Sequence, residues 1–198
     1  MYHLAEMLKS ILAGMAIAIG ATLFLMVGGV AGAIGFTIGL YLVLWFRLNL
    51  YTGKIGYMSS WRQTPMLLCI FLGNLIGCLV FMFCPVLAVS TAAAAIMTTK
   101  LSALWYIVIL KSIICGILIY AAVDQYKQGK EYAPIIAVPA FILCGAEHCI
   151  ADMCFAIAAG NIFTWPVIGF ILLVALGNSL GSIGFRYAML MIDNAKKN

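Results

Sequence analysis

Charge is what this sequence has least of. Only 9% of its 198 residues are Asp, Glu, Lys or Arg, against roughly a quarter in soluble domains. With 66% of the residues apolar, that scarcity excludes a water-soluble fold, because so much apolar surface cannot be hidden in one core. A basic cluster is also missing. The eleven Lys and Arg, which leave a net charge of +5, are spread singly along the chain, and without interleaved aromatics they exclude nucleic acid as a partner. The seven cysteines, Cys69, Cys78, Cys84, Cys115, Cys144, Cys149 and Cys154, form no Cys-x-x-Cys pair and lie in or beside apolar segments. They read as small packing residues. A cleaved secretory leader is not indicated, since the apolar run after Lys9 continues past the usual length of such a segment and reads as a retained first span.

What the chain does have is long apolar runs, which must face lipid. Segments of about 20 residues, the length that crosses a bilayer, fall at 8–27, 31–50, 65–89, 102–123, 134–158 and 163–192. Six spans are therefore expected in a single transmembrane domain over residues 1–198. Lys54 and Arg62 follow the second span, Lys127 and Lys130 the fourth, and Lys196 and Lys197 the sixth, whereas the opposite connections carry only Lys100. This bias predicts both termini in the cytoplasm and a multi-pass protein of the cell (plasma) membrane.

The two halves echo each other. Leu8-Lys9-Ser10-Ile11 followed by Gly14 corresponds to Leu110-Lys111-Ser112-Ile113 followed by Gly116, and Gly73-Asn74-x-x-Gly77 corresponds to Gly177-Asn178-x-x-Gly181. Both matches have nearly the same separation along the chain, which reads as a duplicated three-span unit, with repeat one at about 1–92 and repeat two at about 100–198. An odd number of spans per unit makes the repeats inverted. Gly14, Gly73, Gly116 and Gly177 are expected to be points of close helix approach.

In each unit the middle span is interrupted by residues that a lipid-facing helix does not favour: Arg47 to Lys54 in the first, Gly145 to Asp152 in the second. Non-helical backbone at membrane depth persists only against protein or a watery cavity, and paired interruptions point to a transport site. Two half-helices starting there are expected to aim their N–H groups at the midplane, which suits an anion.

Glu147, His148 and Asp152 are the only ionisable cluster inside an apolar run, and such groups are costly in hydrocarbon unless paired or hydrated. His148 can exchange a proton near neutral pH. The competing reading is a structural hydrogen-bond knot joining half-helices. A metal site from these residues and Cys149 is not expected, because ligands at consecutive positions do not converge on one ion and no second His or Cys-x-x-Cys supports them. No cofactor is expected. No Ser/His, paired-Asp or metal constellation suggests an enzyme.

Glu147-His148-x-x-Ala151-x-Met153 resembles the fifth-span signature of formate/nitrite transporters, and Leu50-Tyr51-Thr52-Gly53 resembles their span-two loop. Leu8 to Ala21 and Gly39-Leu40 are also similar to that family's first two spans, so the resemblance covers nearly the whole chain, as a short, divergent member. It implies an all-α membrane protein of six transmembrane helices, in aquaporin-like inverted three-helix repeats with helices two and five broken. It further implies a homopentamer in the lipid bilayer with one pore per protomer, passing small monovalent anions of weak acids, such as formate, nitrite or hydrosulfide, with protons as a second partner.

Carried over by position, His148 is the central pore histidine and Thr52 faces it, with Glu147, Asp152 and Asn49 as further pore residues. Phe36 and Leu40 form one apolar constriction, Phe141 belongs to the other, and Lys100 is a vestibule lysine that attracts anions. Ordinary helix packing is the alternative for Phe36, Leu40 and Phe141, and interfacial snorkelling for Lys100. The chain departs from the family pattern at Asn49, where an acid is usual, at Asp152 and Gly116, where Asn is usual, and at Lys54. The alternative function is an aquaporin-like pore for a small neutral solute, although Asn-Pro-Ala loops are absent.

Overall fold

In lipid a backbone must satisfy its own hydrogen bonds, and for these apolar runs the helix is the form that does so. The computed structural model describes residues 2–83 and 89–195, and among them there are helices and no strand. In chain order the α-helices are α1 (Tyr2–Val27), α2 (Gly29–Trp45), α3 (Tyr51–Ile55), α4 (Thr64–Met82), α5 (Ser90–Leu101), α6 (Trp105–Lys127), α7 (Ala133–Leu143), α8 (Cys149–Ala158) and α9 (Trp165–Ala195). Cys84, Lys196 and Lys197 lie outside the described residues. Four segments, His3–Val27, Trp61–Met82, Trp105–Lys127 and Trp165–Ala195, are each long and apolar enough to cross a membrane. The chain is a membrane protein.

One element was not expected. The stretch carrying Lys100 reads as a connection, yet it forms α5, because the run Ala92 to Ala95 has the highest helix propensity available. Lys100 thereby gains a fixed place on a helix.

Between α2 and α3, and again between α7 and α8, the chain makes the same departure. After Trp45, the Arg47 N–H donates to the Leu44 carbonyl and the Leu48 N–H to the Val43 carbonyl; after Leu143, Gly145 donates to Ile142 and Ala146 to Phe141. Each is a Schellman closure, which requires a left-handed residue at its centre. Gly145 supplies one at φ 68°, and Arg47 adopts φ 51°, a conformation that costs an ordinary L-residue about 1–2 kcal/mol. Two residues then lead into the next helix, the second of them, Leu50 or His148, in extended conformation. Asn49 donates its N–H to Lys9 O at 3.3 Å, and Glu147 donates to Lys111 O at 3.4 Å.

The remaining polar groups are taken by two asparagines. Asn74 Oδ1 accepts the Tyr51 N–H at 2.9 Å, while its Nδ2 donates to the carbonyls of Ser10 and Asn49 at 2.7 and 2.8 Å. Asn178 repeats this on the other side: Oδ1 accepts the Cys149 N–H at 3.0 Å, and Nδ2 donates to Ser112 and Glu147 carbonyls, both at 2.8 Å. Both asparagines are wholly buried. They lie within helix-helix contacts too close for a Cβ, since one built on Gly14 would collide with the Asn74 carbonyl and one on Gly116 with the Asn178 carbonyl. Gly73 and Gly177 sit likewise against Ser10 and Ser112. Thus α1 closes on α4, and α6 on α9, while α2 meets α7 and α8 packs against α4, α5 and α9.

Two predictions follow the geometry. Gly116→Ala forces the α6 and α9 backbones apart and should lower stability by about 1–3 kcal/mol, the usual cost of overpacking. Gly169→Ala, which meets nothing within 4 Å, should be neutral or slightly stabilising, and thermal unfolding in detergent compares the two. Asn178→Ala leaves the Cys149 N–H and the Glu147 carbonyl without partners, at about 1–3 kcal/mol for each orphaned group; an unfolding temperature equal to that of the unaltered protein would refute this role.

Candidate functional site

The residues that begin α3 and α8 meet at the centre of the molecule. His148 is the N-cap of α8, in extended conformation at φ −118°, and its Nδ1 accepts the Ala151 N–H at 3.1 Å. On the other edge of the ring, Nε2 lies 2.9 Å from Oγ1 of Thr52. An acceptor at Nδ1 has no proton there, so the imidazole is neutral and its one proton is on Nε2, donated to Thr52. Both side chains are buried, at 2% and 1% exposure. The Phe141 ring stacks on the imidazole at 5.7 Å and meets the edge of Phe36 at 6.0 Å.

On one side of this contact is a cavity of about 180 Å³, bounded by His148, Phe36, Phe141, Phe155, Lys100 and Asp152. Aromatic walls make it apolar, and its polar lining is concentrated in a few groups. Lys100 reaches in from α5, with Nζ bonded to Glu147 Oε2 and 3.0 Å from Asp152 Oδ1. The Lys100 side chain is 15% exposed and the two carboxylates 4% and 1%. Among the described residues, neither Asp152 oxygen accepts a well-formed hydrogen bond.

A second cavity of about 460 Å³ lies between α2, α3 and α6. Leu40 and Leu50 are in its wall and three cations, Arg47, Lys54 and Lys127, line it. The Lys127 ammonium sits 3.6 Å from the centre of the Tyr57 ring, a cation–π contact. Phe36 lines the smaller cavity and Leu40 the larger. One helical turn separates them, about 6 Å along α2, so the two chambers are stacked along that helix with the Thr52–His148 contact beside it.

The structure therefore brings together His148, Thr52, Glu147, Asp152, Phe36, Phe141 and Lys100, and separates Asn49 and Leu40 from them. Asn49 instead donates from Nδ2 to Glu6 Oε2 at 2.9 Å, and Glu6 pairs with Lys9 at 2.8 Å. The expected pairing of constrictions needs correction: Phe36 belongs with Phe141, not with Leu40, because residues one turn apart on α2 stand at different depths. Lys100 is neither a free vestibule charge nor a snorkelling lysine, since two buried carboxylates hold it. The helix-dipole expectation also changes. The first N–H groups of α8 are spent on Asn178 and His148, and α3 has only five residues, too few aligned peptides for an appreciable dipole. Phe24 and Phe155, whose ring centres are 6.1 Å apart and which both line the smaller cavity, were not singled out in the sequence. Nothing in their immediate neighbourhood distinguishes them from packing phenylalanines.

A profile described as "Formate/nitrite transporter" matches residues 3–192. No curated protein matches the chain at significance. Among solved structures, one described as "Pentameric formate channel with formate bound" superposes with a TM-score of 0.80 at 23% identity, covering 95% of this chain and 97% of that one. Another, described as "FNT family ion channel", gives 0.76 at 24% identity, covering 93% and 90%. At these identities the superpositions establish a common fold. The family rests on the profile match, which spans almost the whole sequence: the chain belongs to the formate/nitrite transporter family.

Proposed function

We propose that the protein is a channel or proton-coupled transporter for small monovalent anions of weak acids, such as formate, nitrite or hydrosulfide, with a pore through each protomer and the His148–Thr52 contact at its waist. The observation that carries this reading is the smaller chamber, in which an ammonium and a buried acid face aromatic walls and a neutral imidazole. Moving a bare anion past Phe36 and Phe141 into low dielectric is costly. Protonation in the chamber removes that cost, and the neutral acid passes the waist by exchanging hydrogen bonds with Nε2–H and the Thr52 hydroxyl. On the other side the Arg47, Lys54 and Lys127 chamber raises the local anion concentration. The reading requires no enzymatic turnover.

The same reading takes α2 with α3, and α7 with α8, as two broken spans within a six-span domain. Its two halves, about 1–92 and 100–198, are inverted repeats. Support comes from the matching Schellman closures and asparagine bonds. The distribution of Lys and Arg supports cytoplasmic termini in this reading, with the plasma membrane as the proposed location. Homopentameric assembly is proposed from the family and from the pentameric formate channel of the same fold.

Proteoliposomes should take up formate, nitrite or hydrosulfide faster than empty vesicles, increasingly as the external solution is acidified, with no comparable uptake of glycerol. Glycerol flux without weak-acid flux would sink the proposal in favour of a neutral-solute pore. His148→Gln, similar in size and still a donor, should fold but change the dependence of uptake on pH; an unchanged profile in well-folded protein would confine His148 to capping α8. The mass of the detergent-solubilised particle should correspond to five chains.

A further inference from the structure

The charges around the smaller chamber do not balance. Glu147 and Asp152 bring two carboxylates, and Lys100 brings the single ammonium that pairs with them. Lys111, whose ammonium lies near Gly145 at the chamber's exposed rim, forms no ion pair with either among the described residues. The other titratable groups packed around α8 are the thiols of Cys78 on α4, Cys115 on α6 and Cys149 and Cys154 on α8 itself, with the Tyr51 phenol on α3. Thiols and phenols are neutral at neutral pH, and neither α1 nor α9 bonds a charged group to the cluster. One negative charge is thus left over at groups almost wholly removed from water, where an uncompensated ion is expensive and neutralisation by a proton is the usual outcome. His148 does not hold that proton, because its Nδ1 is an acceptor and its Nε2–H is already counted.

We propose that the Lys100–Glu147–Asp152 cluster is the protein's resident proton site, and that the proton sits on Asp152, from which it passes to the anion in the chamber. Lys100 holds Glu147, the partner it directly bonds, while both Asp152 oxygens lack well-formed hydrogen bonds and the residue lines the cavity. When a weak-acid anion enters beside Lys100, the Asp152 O–H bond breaks and an O–H or S–H bond forms on the anion. The neutral acid leaves across the waist. The new Asp152 carboxylate, 3.0 Å from the Lys100 ammonium that Glu147 already shares, leaves the cluster one negative charge in excess, and water at the chamber mouth returns a proton to it. The chamber holds the same net charge before and after the transfer, so one anion and one proton cross together. Asp152 is therefore the coupling residue of the transport reading above, on which this proposal rests.

Infrared spectroscopy of the reconstituted protein tests the site apart from transport, because only six Asp and Glu side chains are present in the chain. A C=O band of a protonated carboxyl group is expected at neutral pH, and it should vanish in Asp152→Asn. It should also vanish in Glu147→Gln, where one carboxylate and one ammonium remain in balance, so that this variant carries the test if Asp152→Asn does not fold. In folded Asp152→Asn, formate uptake should lose its rise on acidification. Absence of the band in the unaltered protein, or its survival in either variant, overturns the proposal. Formate uptake without the band overturns the proton site alone. The band without any weak-acid uptake overturns the transport reading and leaves the proton site in place.

Discussion

Everything in this molecule depends on satisfying the backbone where two helices stop inside an apolar body. A free N–H or carbonyl there has no water to turn to. The protein meets this constraint twice with one device, a Schellman closure followed by a short connection whose polar groups are taken by the neighbouring helix and by a buried asparagine. The asparagine can reach only because glycines let the paired helices approach to backbone contact. Close packing and the interrupted helices are thus one feature, and neither stands without the other.

With the backbone satisfied, the side chains at the second interruption are released for chemistry. The N-cap position of α3 is Leu50, which has no side-chain acceptor, whereas that of α8 is His148, which caps its own helix and reaches Thr52 with its other nitrogen. A capping acceptor at Nδ1 fixes the tautomer, so capping the helix and directing a donor at Thr52 are the same act. The hydrogen bond that starts the helix also decides where the imidazole proton is, so in the proposed function the structural and functional readings of His148 are not alternatives.

The two chambers differ in kind. On the α5 side a lysine is confined by two carboxylates, while on the α3 side Arg47, Lys54 and Lys127 line a wider space, and among the described residues none of the three is in an ion pair. A solute approaching from the α3 side meets unpaired positive charge, whereas on the α5 side the lysine is already paired with buried acids. In the proposed mechanism that asymmetry separates attraction, which three cations without ion-pair partners among the described residues supply, from protonation, which requires a buried group.

Much of this was legible in the sequence. The apolar runs fixed the medium, since their number and length leave lipid as the only solvent. The repeated Leu-Lys-Ser-Ile and Gly-Asn-x-x-Gly segments supply Ser10 and Ser112, Asn74 and Asn178, the parts of the two matching backbone locks. Glu147, His148 and Asp152 stood out because ionised groups are rare in apolar runs. The helix α5, the pairing of Phe36 with Phe141, the place of Asn49 beside Glu6, and the confinement of Lys100 could not be read in this way. Each depends on which elements, distant along the chain, come to the same depth, and depth follows from how closely α1 meets α4 and α6 meets α9. A sequence states which residues tolerate burial, but whether a buried lysine faces one carboxylate or two is decided only when three segments converge, and in this protein that convergence sets the charge of the chamber.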